Sequence, residues 1–161
     1  MASKTLVVYY SYEGSTRLIA QTIATALGAD ILECRPINDI SSKGFMKYVW
    51  GGRQVVFKKR PQLEPFKTDP SEYETIVIGT PVWAFTYAPA IRTFLSEMTL
   101  HQKKIGVFCC HEGAKGNTLE HLKEALSKNT IIGENDFPNV MKDKEENIIK
   151  ARQWATTLKQ G

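Results

Sequence analysis

The sequence predicts an α/β protein built on a doubly wound, five-stranded parallel sheet with helices on both faces. Three observations carry this expectation. The apolar runs Leu6–Tyr10, Ile76–Gly79 and Ile105–Cys110 are short and nearly continuous, as strands covered on both faces are. Stripes of apolar residues at helical spacing lie between them. Strand and helix signals alternate along the chain, which suits right-handed crossovers into one sheet.

The elements follow in order. After the first run, Ile19, Ile23, Ala26 and Leu27 share one helix face, and Gly28 stands where a C-terminal cap needs glycine. Ala29–Cys34 alternates and suits an edge strand. A third strand at Ile76–Gly79 leads to a helix opened by Pro89, with Ile91, Phe94, Leu95 and Met98 on its apolar face. Ile105–Cys110 precedes the turn residues Gly116 and Asn117 and a stripe of Leu119, Leu122 and Leu126. Thr130–Phe137 is a weak candidate for the opposite edge. A charged helix from about Lys142 closes the chain, with Ile148, Ala151, Ala155 and Leu158 facing inward. Residues 36–70 do not fit a tidy crossover. They hold four of the seven prolines and the doublet Gly51–Gly52, and read as a surface excursion with a short helix over about Ser42–Trp50 carrying Phe45 and Val49.

A chain of 161 residues that is 42% apolar is expected to form a single domain over 1–161 with one packed interior. No stretch reaches about 18 apolar residues, so a cytoplasmic protein without membrane contact is expected. Cys34, Cys109 and Cys110 have no metal-ligand spacing. Adjacent Cys109 and Cys110 on a strand face opposite ways and read as small core thiols, with no metal site. The net charge of +4 is unevenly placed. Between Asp39 and Glu64 there is no acid, while Lys43, Lys47, Arg53, Lys58, Lys59 and Arg60 fall there. The rest of the chain is mildly acidic. Six cations in one loop are no nucleic-acid recognition motif.

Three strand-end segments carry the chemistry. In open α/β sheets, ligands sit beyond the carboxyl ends of the strands. The first segment is Ser11, Tyr12, Glu13, Gly14, Ser15 and Thr16, a hydroxyl-rich turn running into a helix N-terminus. Its backbone N–H groups and the helix dipole favour an anion. Ser11, Ser15 and Thr16 add donors, and Gly14 permits close approach. N-capping uses the same geometry, so both roles coexist. G-x-x-x-x-G-K-[ST] is absent, which argues against a nucleoside-triphosphate cradle. Arg17 points away from the apolar stripe and is expected to be solvated. Glu13 is assigned backbone contact alone.

The second segment, Thr80, Pro81, Val82, Trp83, Ala84, Phe85, Thr86 and Tyr87, places aromatic rings in a loop, where a flat partner is wanted. Tyr87 has the alternative of packing on the helix that Pro89 opens. The third, His111–Asn117, follows Cys110 and is glycine-rich, so its amides can approach the edge of a planar heterocycle, with Cys110, His111, Glu112, Gly113 and Gly116 as the candidate contacts. His111 is either a group that tunes such a ring or a surface histidine, while His101 and His121 read as surface residues. Glu112 beside a reduced anionic ring would lower its potential by repulsion. Phosphate at one end, ring clamp in the middle and amides at the far side describe a pocket for flavin mononucleotide (FMN).

On these three segments, taken in order, the chain resembles the flavodoxin family from Lys4 to about Lys159. The hydroxyl–x–x–Gly–x–Thr pattern of the family's phosphate loop is matched by Ser11, Gly14 and Thr16. The resemblance implies strand order 2-1-3-4-5, non-covalently bound FMN and electron transfer. With no long insertion in the last strand, it implies a short-chain form. The chain departs from the family in its net basic charge and in its long, basic, aromatic second crossover. Two functions follow. One is an electron carrier serving a redox partner protein. The other is an FMN-dependent reductase that takes hydride from NAD(P)H and passes it to a quinone or similar acceptor, as a monomer or homodimer. No residue is assigned a bond-making role. A metal-binding receiver domain is excluded, because neither Tyr10–Tyr12 nor Gly79–Thr80 supplies an Asp at a strand end. A nicotinamide-binding fingerprint is absent after the first strand.

Overall fold

The computed structural model describes residues 4–37 and 61–161. The expected helix at Ser42–Trp50 and the basic aromatic stretch Lys43–Arg60 lie outside the described residues. The two arms flanking that stretch meet at its base. Pro36 bridges Leu63, the Ile37 N–H donates to the Gln62 carbonyl (2.9 Å) and the Glu64 N–H to the Arg35 carbonyl (2.7 Å).

The strands are β1 (Thr5–Tyr9), β2 (Asp30–Glu33), β3 (Thr75–Trp83), β4 (Thr86–Tyr87), β5 (Lys104–His111) and β6 (Thr130–Pro138). The helices are α1 (Ser15–Leu27), α2 (Pro89–Glu97), α3 (Thr118–Ala125) and α4 (Lys144–Lys159). The main sheet runs β2-β1-β3-β5-β6, all parallel. This is the expected order, with the short β4 added by antiparallel pairing to β3. The third strand is longer than its apolar run suggests. Thr80–Trp83, expected in a loop, continues the strand before turning back.

The sheet is covered on both faces, which is why its central strands are apolar throughout. One face packs Leu6, Val8, Ile76, Ile78, Val107 and Cys109 under Ile91 and Phe94 of α2 and Leu119 and Leu122 of α3. The other packs Val7, Val77, Phe108 and Cys110 under Ile19 and Ile23 of α1 and Ala151, Trp154 and Leu158 of α4. Cys109 and Cys110 thus point to opposite faces, as strand geometry requires. Each fully buried aliphatic or aromatic side chain contributes about 1.5–3 kcal/mol. α1 ends at Gly28 with φ +63°, and Pro89 opens α2.

One irregularity positions a site residue. Between Ile105 and Gly106 the β5–β6 register shifts: Ile105 opposes Ile131, but Gly106 opposes Gly133. The extra residue, Ile132, is a β-bulge. Gly133 lies tight beneath α4, for a Cβ there would come 2.8 Å from Leu158 Cδ2.

Candidate functional site

The carboxyl ends of β1, β3 and β5 open on one cleft of about 260 Å³, lined by Ser11, Tyr12, Glu13, Ser15, Thr16, Pro81, Val82, Trp83, Cys110, His111, Glu112 and Val140. The three segments singled out in the sequence therefore meet.

The first wall is the turn from β1 to α1. Ser11 Oγ accepts the Gly14 N–H (3.1 Å), which closes the turn and leaves the hydroxyl proton for another acceptor. Gly14 adopts φ +106° and has no side chain to cap α1. The first-turn N–H groups, which have no intrahelical partners, therefore lack a side-chain cap. No acidic residue sits in that turn, so the positive end of the dipole stays uncompensated. Thr16 is buried and lines the cleft together with Cys110 of β5. Arg17 is exposed, as expected, and there pairs with Glu33 of the edge strand (Nε to Oε1, 3.1 Å), while Arg35 pairs with the other carboxylate oxygen. Burial pushes the Glu33 carboxyl up, but the two guanidiniums outweigh it and hold the group below its ordinary value.

The second wall is the end of β3. The Trp83 ring is buried and held by edge contacts from Tyr10 (5.7 Å) and Tyr12 (6.0 Å). Beyond it, Ala84 (φ +49°) and Phe85 (φ +65°) form the two central residues of the β3–β4 hairpin, both in the left-handed region. Ala84, Phe85 and Thr86 do not line the cleft, and Phe85 is 67% exposed. They form a brace to α3. The Asn117 N–H donates to the Phe85 carbonyl (3.2 Å), and Thr86 Oγ1 lies 2.8 Å from His121 Nδ1, which gives His121 a partner that sequence reading did not foresee. Gly116 belongs to the same brace: a Cβ on it would lie 2.6 Å from Phe85 Cβ. Thr80 is buried away from the cleft lining. Its hydroxyl accepts the Ala88 N–H (2.9 Å) and donates to the Pro81 carbonyl (2.8 Å). Tyr87 packs on α2 beneath the Arg92 guanidinium, 4.7 Å from the ring centre.

The third wall is charged. His111 Nε2 lies 2.7 Å from Asp136 Oδ2, and Lys115 Nζ lies 3.7 Å from Asp136 Oδ1. Lys150 of α4 donates to the Asp136 carbonyl. Desolvation pushes the Asp136 carboxyl up, but the His111 hydrogen bond and the charges of Lys115 and Lys150 outweigh it and hold the group below its ordinary value. Burial pushes the Cys110 thiol up to about 12. Gly113 stands in open space beside this wall, outside the lining.

Val140, in the β6–α4 connection, completes the cleft and was not foreseen. The connection is pinned to the site by the Asn139 N–H, which donates to the His111 carbonyl (2.8 Å). Its next residue, Met141, reaches the first turn, with Cε 3.3 Å from where a Gly14 Cβ would stand. Among the described residues no His, Cys, Asp or Glu cluster is fit to hold a metal ion, and no helix is long and apolar enough to cross a membrane.

No curated protein matches the chain. Solved structures do. A protein from Bacteroides eggerthii superimposes with a TM-score of 0.80 at 24% identity, over 98% of each chain. A flavoprotein from Lactobacillus acidophilus, crystallised in complex with FMN, gives 0.72 at 24% identity over 89% of this chain and 98% of its own. Oxidised flavodoxin 1 from Bacillus cereus gives 0.60 at 15% identity over 98% of each. At these identities the likeness speaks for the fold. Residues 4–151 match the sequence model described as flavodoxin, and the chain belongs to the flavodoxin family.

Proposed function

We propose that the chain binds FMN in this cleft and serves as an electron-transfer protein. The observation that carries the reading is the uncapped α1 N-terminus, edged by the Ser11, Ser15 and Thr16 hydroxyls, opening on the same cleft as the Trp83 ring. Neutral donors at a helix N-terminus suit a terminal phosphate. A clamped aromatic ring suits an isoalloxazine. Family membership and the likeness to an FMN-bound flavoprotein support the same ligand. The donor set fits the group at both ends.

In this reading Ser11, Ser15, Thr16 and the first-turn N–H groups hold the phosphate. Trp83, stiffened by Tyr10 and Tyr12, covers the ring, and Cys110, His111 and Glu112 border its far side. When bound, the flavin supplies the redox chemistry, one or two electrons at a time. The protein orients it, excludes water from its face and sets the charge around it. An NAD(P)H-dependent reductase is the competing reading, and its main argument was the basic stretch outside the described residues.

Titration of the apoprotein with FMN, followed by quenching of flavin fluorescence, tests the ligand. Saturable quenching is expected with FMN and much weaker binding with riboflavin, which lacks the phosphate. Equal binding of both, or of neither, overturns the reading. Mixing holoprotein with NAD(P)H alone tests the role: a carrier keeps its oxidised flavin absorbance, and rapid bleaching overturns the carrier in favour of the reductase.

A further inference from the structure

His111 occupies an unusual position on the third wall. Its side chain is nine-tenths buried, with 10% exposed, and it borders the cleft. Nε2 faces Asp136 Oδ2 at 2.7 Å. An ionised carboxylate only accepts hydrogen bonds, and Asp136 is held ionised by its neighbours. The Nε2 nitrogen therefore carries the proton. In the neutral ring that assignment leaves Nδ1 as a bare acceptor, and Nδ1 is buried with no hydrogen-bond partner among the described residues. Buried polar atoms almost always have a partner, and one without costs about 1–3 kcal/mol. A lone pair kept empty at the rim of a binding cleft asks for a role.

The bulge at Ile132 is what creates the pair. Strand residues opposite one another share a face, and a one-residue slip moves every following side chain to the other face. With the bulge, Asp136 opposes Cys109 and lies on the face of His111, two residues further along β5. Without it, the register Ile105–Ile131 would carry Asp136 opposite Cys110, on the other side of the sheet.

We propose that His111, locked by Asp136 with Nδ1 empty, takes up a proton from solvent when the bound flavin is reduced. The proposal rests on the FMN reading. Two electrons from a chemical reductant and one proton enter the ring system, leaving it with one added negative charge. One further proton, from solvent, settles on His111 Nδ1. The Nε2–H···Asp136 bond stays in place, and nothing leaves. The imidazolium would then lie against the Asp136 carboxylate, on the wall of the cleft where a reduced ring would add negative charge. The charged groups facing this wall are Lys115 and Glu112 from the β5–α3 loop, Glu13 from the β1–α1 turn and Lys150 of α4. The Cys109 and Cys110 thiols, both pushed up to about 12 by burial, stay neutral and do not compete. Asp136 is a positioning residue in this scheme: it fixes the tautomer and anchors the cation.

Three measurements on FMN-loaded protein test this. Fluorescence quenching first establishes loading; its absence overturns the FMN reading and this proposal together. The pH dependence of the midpoint potential then counts protons per electron pair. Wild type is expected to take up about one more proton per two electrons than His111→Gln over the neutral range. In Asp136→Asn the extra uptake is expected to move about one pH unit or more lower, because the anchoring carboxylate is gone. Equal slopes in loaded wild type and His111→Gln overturn the proposal and leave FMN binding standing. Nitrogen NMR of histidine-labelled wild type needs no variant. Nδ1 is expected bare in the oxidised protein and protonated after reduction at the same pH. An unchanged Nδ1 signal overturns the proposal.

Discussion

The first and third walls of the cleft are built in opposite ways. The first is contiguous, Ser11–Thr16, and neutral apart from Glu13. It presents backbone N–H groups by means of one glycine at φ +106°. The third joins residues 25 positions apart, His111 and Asp136, and works with charge. An anion can be held by main chain and hydroxyls alone, so its site fits within one local turn. Setting charge beside a redox ring needs ionisable side chains held at fixed distances, and a strand register has to deliver them. The difference predicts which changes harm ligand affinity, which harm the fold and which alter the potential.

The largest effect belongs to the first wall. Thr16→Val keeps the shape and removes a donor to phosphate. Hydrogen bonds to charged groups contribute about 1.5–3 kcal/mol, so FMN affinity should fall roughly ten- to a hundredfold, with riboflavin affinity unchanged. Parallel fluorescence titrations check this, and equal losses for both ligands would remove the distinction between the walls. Next comes Gly14→Ala, expected to cost about 1–2 kcal/mol of stability because an alanine is strained at that φ. The same substitution at Gly113 on the third wall, where a Cβ meets open space, should stay within about 0.5 kcal/mol. Urea melts of the two apoproteins make the comparison.

Acid stability gives a smaller effect. The Asp136 carboxyl is depressed in the folded chain. A depressed acid stabilises the fold above its unfolded value of about 3.9, and that stability is lost as pH falls through the folded value. Partial exposure limits it to roughly 0.5–1 kcal/mol. Asp136→Asn should therefore lower stability at pH 6 and match wild type near pH 2.5; an equal deficit at both would mean a packing defect. The smallest is Glu112→Gln. Removing an exposed negative charge at the cleft edge should raise the midpoint potential by about 10–20 mV, and no rise in a spectroelectrochemical titration would show that Glu112 has no hold on the ring.

What was legible in the sequence follows the same division. Buried central strands announce themselves as apolar runs because both faces are covered. Ser11–Thr16 was legible because its chemistry is contiguous. Trp154, which packs over Phe108 at 6.1 Å, escaped notice because it sits among charged neighbours on α4. The β3–β4 hairpin was hidden because its left-handed turn is Ala84–Phe85 and lacks the Asn-Gly or Asp-Gly signal. The turn holds because Gly116 and Asn117 brace it from another loop. The Arg17–Glu33 pair depends on which strands are neighbours. Asp136 at His111 depends on a bulge that only the paired strands reveal. Val140 enters the cleft because Asn139, at φ +50°, bends the chain back toward His111.

Cys110 borders the cleft, yet its thiol is held near 12. A thiol raised that far stays protonated near neutrality, and the protonated form is not the nucleophile. Peroxide generated when a reduced cofactor meets oxygen would therefore find no nucleophile waiting beside it. Burial thus keeps the one cysteine that lines the cleft in the protonated form, which resists oxidation to a sulfenate.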